Sequence, residues 1–294
     1  MNAGVIGLGA MGSGMARNLA RHDLLATVWN RTASTGEALA AELEVPAAAS
    51  PADLAVECDV IVTCVSADAD VLEMVDAMLP SLEEGKVVVD TSTISVDTAR
   101  QAAERVAATG ARFLDAPVSG GREGAQNGTL VMMVGGDAEA LTAVLPALEA
   151  MTRAVTHMGD AGKGQATKAV NQIMCAGINQ AVTEALAFGQ SMNLDMDAVI
   201  SVVSGGAAGN WFLEHRGRSM VRGEYEPGFK CALHHKDLEI CRRMLDQLGV
   251  SLPTVEMTLK HYDRLKELGY GDEDISTLYR LKREMFAQGN KRSL

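Results

Sequence analysis

The chain opens with Ala3-Gly4-Val5-Ile6-Gly7-Leu8-Gly9-Ala10-Met11-Gly12, a short apolar run followed by three glycines spaced G-x-G-x-x-G. The apolar run predicts a β-strand, and the residues after it predict the start of a helix. In that context Gly7 permits a tight turn, Gly9 allows close approach of a pyrophosphate, and Gly12 allows close helix–strand packing. The helix N-terminus then faces the phosphates. We therefore expect Gly7, Leu8, Gly9, Ala10, Met11 and Gly12 to contact a dinucleotide; the alternative is a glycine turn that binds no ligand.

The segments that follow alternate β-branched runs with amphipathic Ala/Leu-rich stretches, which is typical of βαβ units on a parallel sheet. The predicted strands are 3–6, 26–29, 60–65, 87–90, 113–115, 130–134 and 155–158. After Met158 helical periodicity takes over, with predicted helices around 198–203, 236–248, 255–268 and 275–286. The longest helix has apolar residues at three- and four-residue steps from Val170 to Leu186, which predicts an apolar stripe in the core.

These patterns predict an α/β protein with two domains, because 294 residues exceed the usual size of one core. A Rossmann-type, doubly wound and mostly parallel sheet is expected over residues 1–161. An all-helical domain for substrate binding and oligomerisation is expected over residues 162–294. The boundary lies in the glycine-rich turn 159–164.

Bulk composition excludes several classes of partner. The net charge of -12 without clustered cations argues against nucleic acid, and no apolar stretch approaches the ~20 residues needed to cross a bilayer. The five cysteines are odd in number and lack paired spacing, and no export signal is visible, so reduced thiols and a cytoplasmic location are expected. His234 and His235 are adjacent, a spacing that does not bring two ligands to one helix face, so no metal site is expected.

The end of the second predicted strand indicates which cofactor is preferred. A site for NAD usually carries Asp or Glu there to accept from the ribose 2′-hydroxyl. This chain has Asn30, Arg31 and Thr32 instead. A neutral Asn removes repulsion from a 2′-phosphate, and the guanidinium of Arg31 suits a phosphate, so NADP(H) is expected, with NAD possible. The alternative for Arg31 is an ordinary surface arginine.

Three further segments carry chemistry-bearing residues. They are Asp115-Ala-Pro-Val-Ser119-Gly120-Gly121; Gly162-Lys-Gly164 with Lys168-Ala-Val-Asn171-Gln172; and Pro227-Gly-Phe229 with His235-Lys236-Asp237-Leu238. Together with the N-terminal glycines they resemble the signature set of the β-hydroxyacid dehydrogenase family, in the same order and over essentially the whole chain. That family includes 3-hydroxyisobutyrate dehydrogenases and reductases of tartronate semialdehyde, glyoxylate and succinic semialdehyde.

The resemblance implies that Lys168 is the catalytic residue, and elementary chemistry supports that role. A carbonyl that takes up hydride develops oxyanion character, which an ammonium stabilises and protonates. Lysine suits the task because burial lowers the pKa of an amine toward neutrality. Asn171 and Gln172 follow on the same helix face and could fix the ammonium or bind substrate, although many family members have two Asn residues here. The alternative for Lys168 is a solvated helix lysine.

The resemblance assigns roles to other segments as well. It places Ser119, Gly120 and Gly121 at the substrate carboxylate, where glycines permit a concave backbone nest, although a plain loop is the alternative. It places Val65 and Thr93 at the cofactor, with a helix N-cap as the alternative for Thr93. Lys236 is expected near the cofactor, or else in an ordinary helix-start pair, and Phe229 at the distal end of the substrate.

The expected function is hydride transfer between NADP(H) and a short carboxylate-bearing semialdehyde or β-hydroxy acid, with glyoxylate, succinic semialdehyde or tartronate semialdehyde as candidates. NAD-dependent oxidation of 3-hydroxyisobutyrate is the alternative within the class. A non-catalytic dinucleotide-binding scaffold is the alternative outside it. The helical half is expected to form a homo-oligomer, a dimer or a tetramer.

Overall fold

A computed structural model describes the backbone of residues 1–291 and the side chains of residues 1–287. The chain forms two compact units, Met1–Lys168 and the residues from Ala169 onward. The first is a sheet covered by helices and the second is helical, which confirms the predicted fold class. The division falls within the first turns of the longest helix, whereas the domain limits expected at 161 and 162 remain a prediction.

The first unit is built on one eight-stranded sheet. Its strands are β1 Ala3–Ile6, β2 Leu25–Trp29, β3 Val60–Thr63, β4 Val87–Asp90, β5 Arg112–Asp115, β6 Val118–Ser119, β7 Leu130–Gly136 and β8 Thr152–Gly159. The order is β2-β1-β3-β4-β5-β7-β6, and β8 pairs with β7. Strands β1 to β5 are mutually parallel, while β7 runs antiparallel to β5 and β6. The two-residue strand β6 was not expected, because so short a run carries no alternation.

Helices cover both faces of this sheet. They are α1 Gly12–Arg21, α2 Ala33–Leu43, α3 Pro51–Glu57, α4 Asp68–Met78, α5 Val96–Ala107, α6 Gly121–Asn127 and α7 Ala138–Glu149, with a 3-10 turn at Leu79–Ser81. Successive strand residues belong to different cores: Val62 and Val89 lie in one, and Ile61 and Val88 in the other. This alternation explains why the strands are apolar throughout, since both faces are buried.

The strand order reverses direction at β1. Strand β1 pairs with β2 on one side and with β3 on the other, and Ile6 lies opposite Thr63 in register. The turn after Ile6 therefore meets the end of β3 at the carboxyl edge of the sheet. In open α/β sheets, ligands bind at such a switch point.

The second unit is a helical bundle. The long helix α8 spans Lys163–Ser191 and is followed by α9 Met196–Ser204, α10 Trp211–Arg222, α11 Cys231–Gln247, α12 Pro253–Glu267, a 3-10 turn Ile275–Thr277 and α13 Leu278–Lys291. Leu186, Ile200, Leu238 and Tyr262 belong to its buried core. Helix α10 was not expected from the sequence. No helix within residues 1–291 is long and apolar enough to cross a membrane.

The expected core stripe on α8 is wrong in part: Val182 and Leu186 are buried, whereas most of the other members are not. Val170, Met174 and Ile178 are exposed in the single chain, Met174 by 64%. The buried face instead carries Asn179, whose Nδ2 donates to Tyr262 Oη at 2.9 Å. Burial of a polar side chain is tolerated when it is hydrogen-bonded, so apolar spacing alone did not identify the buried face.

Candidate active site

The glycine turn has the shape that a dinucleotide site requires. Gly7 has φ +91°, and its N–H donates to Trp29 O at 3.0 Å. A Cβ at Gly7 would overlap the carbonyl oxygen of Cys64, and one at Gly12 would overlap that of Gly7. A Cβ at Gly9 would meet no atom of the described residues within 4 Å apart from its chain neighbours. The turn is thus tightly packed against the protein at two glycines and open at the third, an arrangement that fits a pyrophosphate approaching Gly9.

Asn30 supports this turn directly. The Leu8 N–H donates to Asn30 Oδ1 at 2.9 Å, and Asn30 Nδ2 donates to Thr32 O at 3.1 Å. Thr32 directly precedes α2. The side chain of Asn30 therefore connects the end of β2 to the glycine turn. The sequence analysis considered only that Asn30 is uncharged and did not predict this structural role.

Arg31 has two acidic partners. One guanidinium nitrogen, Nη2, lies 2.6 Å from Asp70 Oδ1 and 3.1 Å from Glu73 Oε2. The hydrogen bond to Asp70 and the charges of both carboxylates raise the pKa of Arg31. Its side chain remains 62% exposed, so the guanidinium is open to solvent but already paired with carboxylates of α4. These partners were not foreseen, because they lie about forty residues away in the sequence.

A buried polar cluster joins the carboxyl ends of β3 and β4. Thr63 Oγ1 and Ser92 Oγ both donate to Asp90 Oδ1 at 2.7 Å, and the Val65 N–H donates to Ser92 Oγ at 2.9 Å. Asp90 Oδ2 is buried and has no hydrogen-bond partner among the described residues. Burial raises the pKa of Asp90 to about 6, an increase that the hydrogen bonds from Thr63 and Ser92 partly offset.

A second buried carboxyl, Asp115, holds the start of helix α8. Asp115 lies at the end of β5 and accepts from the N–H groups of Gly162 at 2.7 Å and Gln165 at 2.9 Å. Burial raises the pKa of Asp115, and these backbone donors oppose the increase. A carboxyl group that accepts from the first backbone N–H groups of a helix caps it. The first turn of α8 is thereby attached to β5.

Lys168 lies in the next turn of α8. It is 7% exposed, and its Nζ donates to Val118 O at 2.8 Å. Val118 precedes Ser119, Gly120 and Gly121, and both glycines have positive φ, +132° and +61°. The ammonium group therefore lies beside the loop that the sequence analysis assigned to the substrate carboxylate. A solvated lysine, the alternative, does not describe this side chain.

In the second unit, hydrogen bonds and an ion pair connect the polar residues expected at the substrate and cofactor with Asp237. Gln172 is 2% exposed, and its Nε2 donates to Asp237 Oδ2 at 2.5 Å. Asn171 Nδ2 donates to Gln172 Oε1 at 2.8 Å, and Lys236 Nζ lies 3.1 Å from Asp237 Oδ1. The longer Gln172 thus has a defined partner in Asp237. Lys236 and Asp237 lie inside α11, so they are not a helix-start pair.

The residues of interest fall into two sets. The glycine turn, residues 30–32, Val65, Thr93, residues 119–121 and Lys168 lie in the first unit, whereas Asn171, Gln172, Phe229 and Lys236 lie in the second. Phe229 packs against the His234 ring, with centroids 5.4 Å apart. Sequence analysis missed Gln165. The only signal for it was its position one turn before Lys168 in the glycine-rich opening of the helix.

Comparisons with known proteins cover the whole architecture. Residues 2–159 match a family model described as the NAD binding domain of 6-phosphogluconate dehydrogenase. Residues 162–282 match one described as NAD-binding of NADP-dependent 3-hydroxyisobutyrate dehydrogenase. A relative from Escherichia coli, 2-hydroxy-3-oxopropionate reductase, is 35% identical over 95% of this chain and 96% of its own length. An uncharacterised oxidoreductase from Shewanella frigidimarina is 37% identical over 93% and 95%.

Solved structures agree with the sequence comparisons. A 3-hydroxyisobutyrate dehydrogenase from Mycobacterium tuberculosis with L-serine superposes with a TM-score of 0.87 at 29% identity, and the match covers 96% of this chain and 99% of that one. The similarity extends through both units, as the resemblance in sequence implied.

Proposed function

Because the chain belongs to the β-hydroxyacid dehydrogenase family and is an NAD(P)-dependent oxidoreductase, we propose that it reduces a short carboxylate-bearing semialdehyde with NADPH and that Lys168 handles the proton. The observation that carries the proposal is the position of Lys168 Nζ, buried and 2.8 Å from Val118 O beside the 119–121 loop. Tartronate semialdehyde is favoured, with glyoxylate and succinic semialdehyde as further candidates, because the Escherichia coli relative is named as a reductase of the first.

Each residue has a part that follows from its chemistry. A bound nicotinamide supplies or accepts the hydride. The Lys168 ammonium, oriented by the Val118 carbonyl, donates a proton to the substrate oxygen as negative charge develops there. The backbone N–H groups of Gly120 and Gly121 and the Ser119 hydroxyl bind the carboxylate. In the reverse direction the neutral amine accepts the proton of the hydroxyl group.

NADP(H) preference rests on Arg31 and on the absence of an acid at residue 30. The guanidinium is exposed to solvent, so it can exchange a carboxylate partner for a 2′-phosphate. We further propose that Val65 and Thr93 contact the cofactor, as does Lys236, and that Asn171, Gln172 and Phe229 bind substrate. NAD-dependent oxidation of 3-hydroxyisobutyrate is the second candidate, because the Mycobacterium tuberculosis structure carries that name.

The test compares Lys168→Ala with Lys163→Ala, which removes an exposed lysine from the same helix. NADPH oxidation is followed with the three semialdehydes, and NAD reduction with 3-hydroxyisobutyrate. We expect Lys168→Ala to lower kcat about 10²- to 10⁴-fold while NADPH binding, measured by fluorescence titration, is retained. Lys163→Ala should resemble the wild type. Equal turnover in the two variants would exclude the proposed role of Lys168, and NADPH binding by the wild type without turnover of any of the four acids would favour a scaffold protein.

We also propose that the exposed apolar face of α8 contacts a second copy of this chain. Val170, Met174 and Ile178 continue toward Phe188 and Met192, so apolar side chains follow one face of the helix nearly from end to end. A soluble monomer rarely leaves so long an apolar face exposed, and a face of this kind can pair with itself about a two-fold axis. Light scattering of the wild type and of Met174→Glu tests this proposal. The wild type should have the molar mass of an oligomer, and the variant should have a lower molar mass. A monomeric wild type would refute the proposal.

A further inference from the structure

Gln165 makes contacts that no residue near it in the sequence would suggest. Its side chain is 2% exposed. The amide Nε2 donates to Ser92 O at 2.8 Å, and Oε1 accepts from the Ile94 N–H at 3.2 Å. These two backbone groups lie immediately before and after Thr93. One buried amide therefore holds both sides of the residue proposed to lie at the cofactor.

The start of helix α8, which carries Gln165, is held in place by Asp115. The Gln165 N–H and the Gly162 N–H both donate to the Asp115 carboxyl, at 2.9 and 2.7 Å. A Cβ at Gly164 would overlap backbone oxygens of Asp115 and Met133, so the helix packs against β5 and β7 without space between them. Lys168 follows Gln165 by three residues, about 4.5 Å along the helix axis. A shift at Gln165 therefore displaces Lys168 as well.

The Thr93 loop is fixed on the other side. Ser92 Oγ donates to Asp90 Oδ1 and accepts from the Val65 N–H, and both Asp90 and Ser92 are nearly inaccessible to solvent. The loop is thus attached to the ends of β3 and β4, while the helix is attached to the end of β5. The Gln165 side chain connects helix α8 to the Thr93 loop.

We infer that Gln165 is a positioning residue that sets the distance between the cofactor loop at Thr93 and the proton donor Lys168. The inference rests on the proposed function, because it needs Lys168 at the reacting oxygen and Thr93 at the cofactor. Hydride and proton must reach neighbouring atoms of one carbonyl group, so their donors need a fixed separation. A misplacement of about 1 Å at such a site can lower turnover about 10²-fold.

The first experiment compares Gln165→Leu with Gln180→Leu. Gln180 is a buried glutamine of the same helix, 4% exposed, whose Nε2 donates to Thr258 Oγ1 in the second unit. Both variants replace a buried amide of α8 with an apolar side chain, so Gln180→Leu controls for the loss of a buried amide from this helix. Only Gln165→Leu should lower kcat, by about 10- to 100-fold, and increase the primary isotope effect with 4-deuterated NADPH. The dissociation constant of NADPH should change little, because the glycine turn is intact.

The second experiment uses Gln165→Glu. A protonated glutamic acid can donate to Ser92 O and accept from the Ile94 N–H as the amide does, whereas a carboxylate cannot donate. The ratio of variant to wild-type kcat should therefore be at least about tenfold higher at acid pH than at alkaline pH, across the pKa of the buried carboxyl. The ionisable groups on the adjoining elements include Asp90, Asp115 and Lys168. They also include Asp68, whose Oδ1 accepts from the Ser95 N–H, and Arg100, which lies beside Gly162. All of them are present in both proteins.

Four outcomes separate the possibilities. Loss of kcat in Gln165→Leu alone, together with acid rescue in Gln165→Glu, supports the positioning role. Parallel losses of kcat and Tm in both leucine variants, with an unchanged isotope effect, would refute it. A ratio independent of pH for Gln165→Glu would also refute it. If Lys168→Ala retains wild-type turnover, the proposed role of Lys168 fails, and that measurement is independent of residue 165.

Discussion

Asp90→Asn should remove a pH dependence of the free energy of unfolding that arises from burial of the Asp90 carboxyl at the carboxyl edge of the sheet. The Asp90 carboxyl is inaccessible to solvent, and burial raises its pKa from 3.8 to about 6. Its ionised form is therefore disfavoured in the folded state relative to the unfolded chain. An increase of about two units corresponds to about 3 kcal/mol.

The sign of the effect follows from proton linkage. Below the unfolded pKa, Asp90 is protonated in both states and costs nothing. Between about pH 4 and pH 6 the unfolded chain releases the proton first, so the free energy of unfolding falls as pH rises. Above about pH 6 both states are ionised and the loss is complete. Asp90 thus makes the wild-type protein less stable at neutral pH than at pH 4 by about 2 kcal/mol, because the unfolded chain has already released part of this proton at pH 4.

The asparagine variant is suited to this test because it keeps the existing contacts. Its Oδ1 can still accept from Thr63 and Ser92, and its Nδ2 takes the place of the unpartnered Oδ2. The buried NH₂ group lowers stability by about 1–3 kcal/mol at every pH, which does not alter the slope. Only the dependence on pH distinguishes the two proteins.

Urea denaturation of both proteins at several pH values from 4 to 7 measures this dependence. Glu83→Gln, which neutralises an exposed carboxylate of the same unit, is the control and should follow the wild-type curve. We expect Asp90→Asn to lack a decline of about 2 kcal/mol between pH 4 and pH 6. If the variant and the wild type have parallel curves, Asp90 is ionised in the folded protein and the argument from its burial is wrong.

Three further variants test the cofactor site and the cysteine environment. Gly9→Ala should leave Tm unchanged, because apart from its chain neighbours no described residue has an atom within 4 Å of the added Cβ, yet weaken NADPH binding about tenfold or more. Gly12→Ala should lower both Tm and the affinity for NADPH. Unchanged NADPH binding in Gly9→Ala would contradict the proposed pyrophosphate position. Asp70→Asn should lower KM for NADPH about two- to fivefold and leave KM for NADH unchanged, because Arg31 loses a carboxylate that competes with the 2′-phosphate. Equal changes in the two KM values would show that Arg31 does not bind the 2′-phosphate. Cys58, whose pKa burial raises to about 12, should react with a thiol reagent at pH 8 only after unfolding, as measured by labelling with and without urea.

Much of the site could be predicted because its signals are local. The three glycines of the first turn act within six residues, and their roles depend on a strand before them and a helix after them. The resemblance to the β-hydroxyacid dehydrogenase family identified Lys168, because the motifs of that family occur here in the same order. Such patterns are contained in short segments, so no knowledge of long-range packing is needed to interpret them.

The features that sequence analysis missed depend on contacts between distant segments. The acidic partners of Arg31 lie 39 and 42 residues away, and the partners of Gln165 lie 71 and 73 residues away. The stripe on α8 was misassigned because hydrogen bonds from Asn179 and Gln180 allow the more polar face to be buried. The sequence spacing of these residues specifies neither the partners of Arg31 and Gln165 nor the face of α8 that is buried.

The amino-acid sequence alone predicted the class of fold, the glycine turn proposed to bind a dinucleotide and the lysine proposed to carry the proton, because strand and helix patterns and the motifs that resemble a known family lie within short segments. Only the tertiary structure decided which polar groups are buried together: Asp90 with Ser92, Asp115 with the start of α8, and Gln165 with both sides of Thr93. The order of the strands in the sheet brings these groups to one edge. The energies of such buried groups depend on desolvation and on the exact positions of their partners, which chain order does not specify.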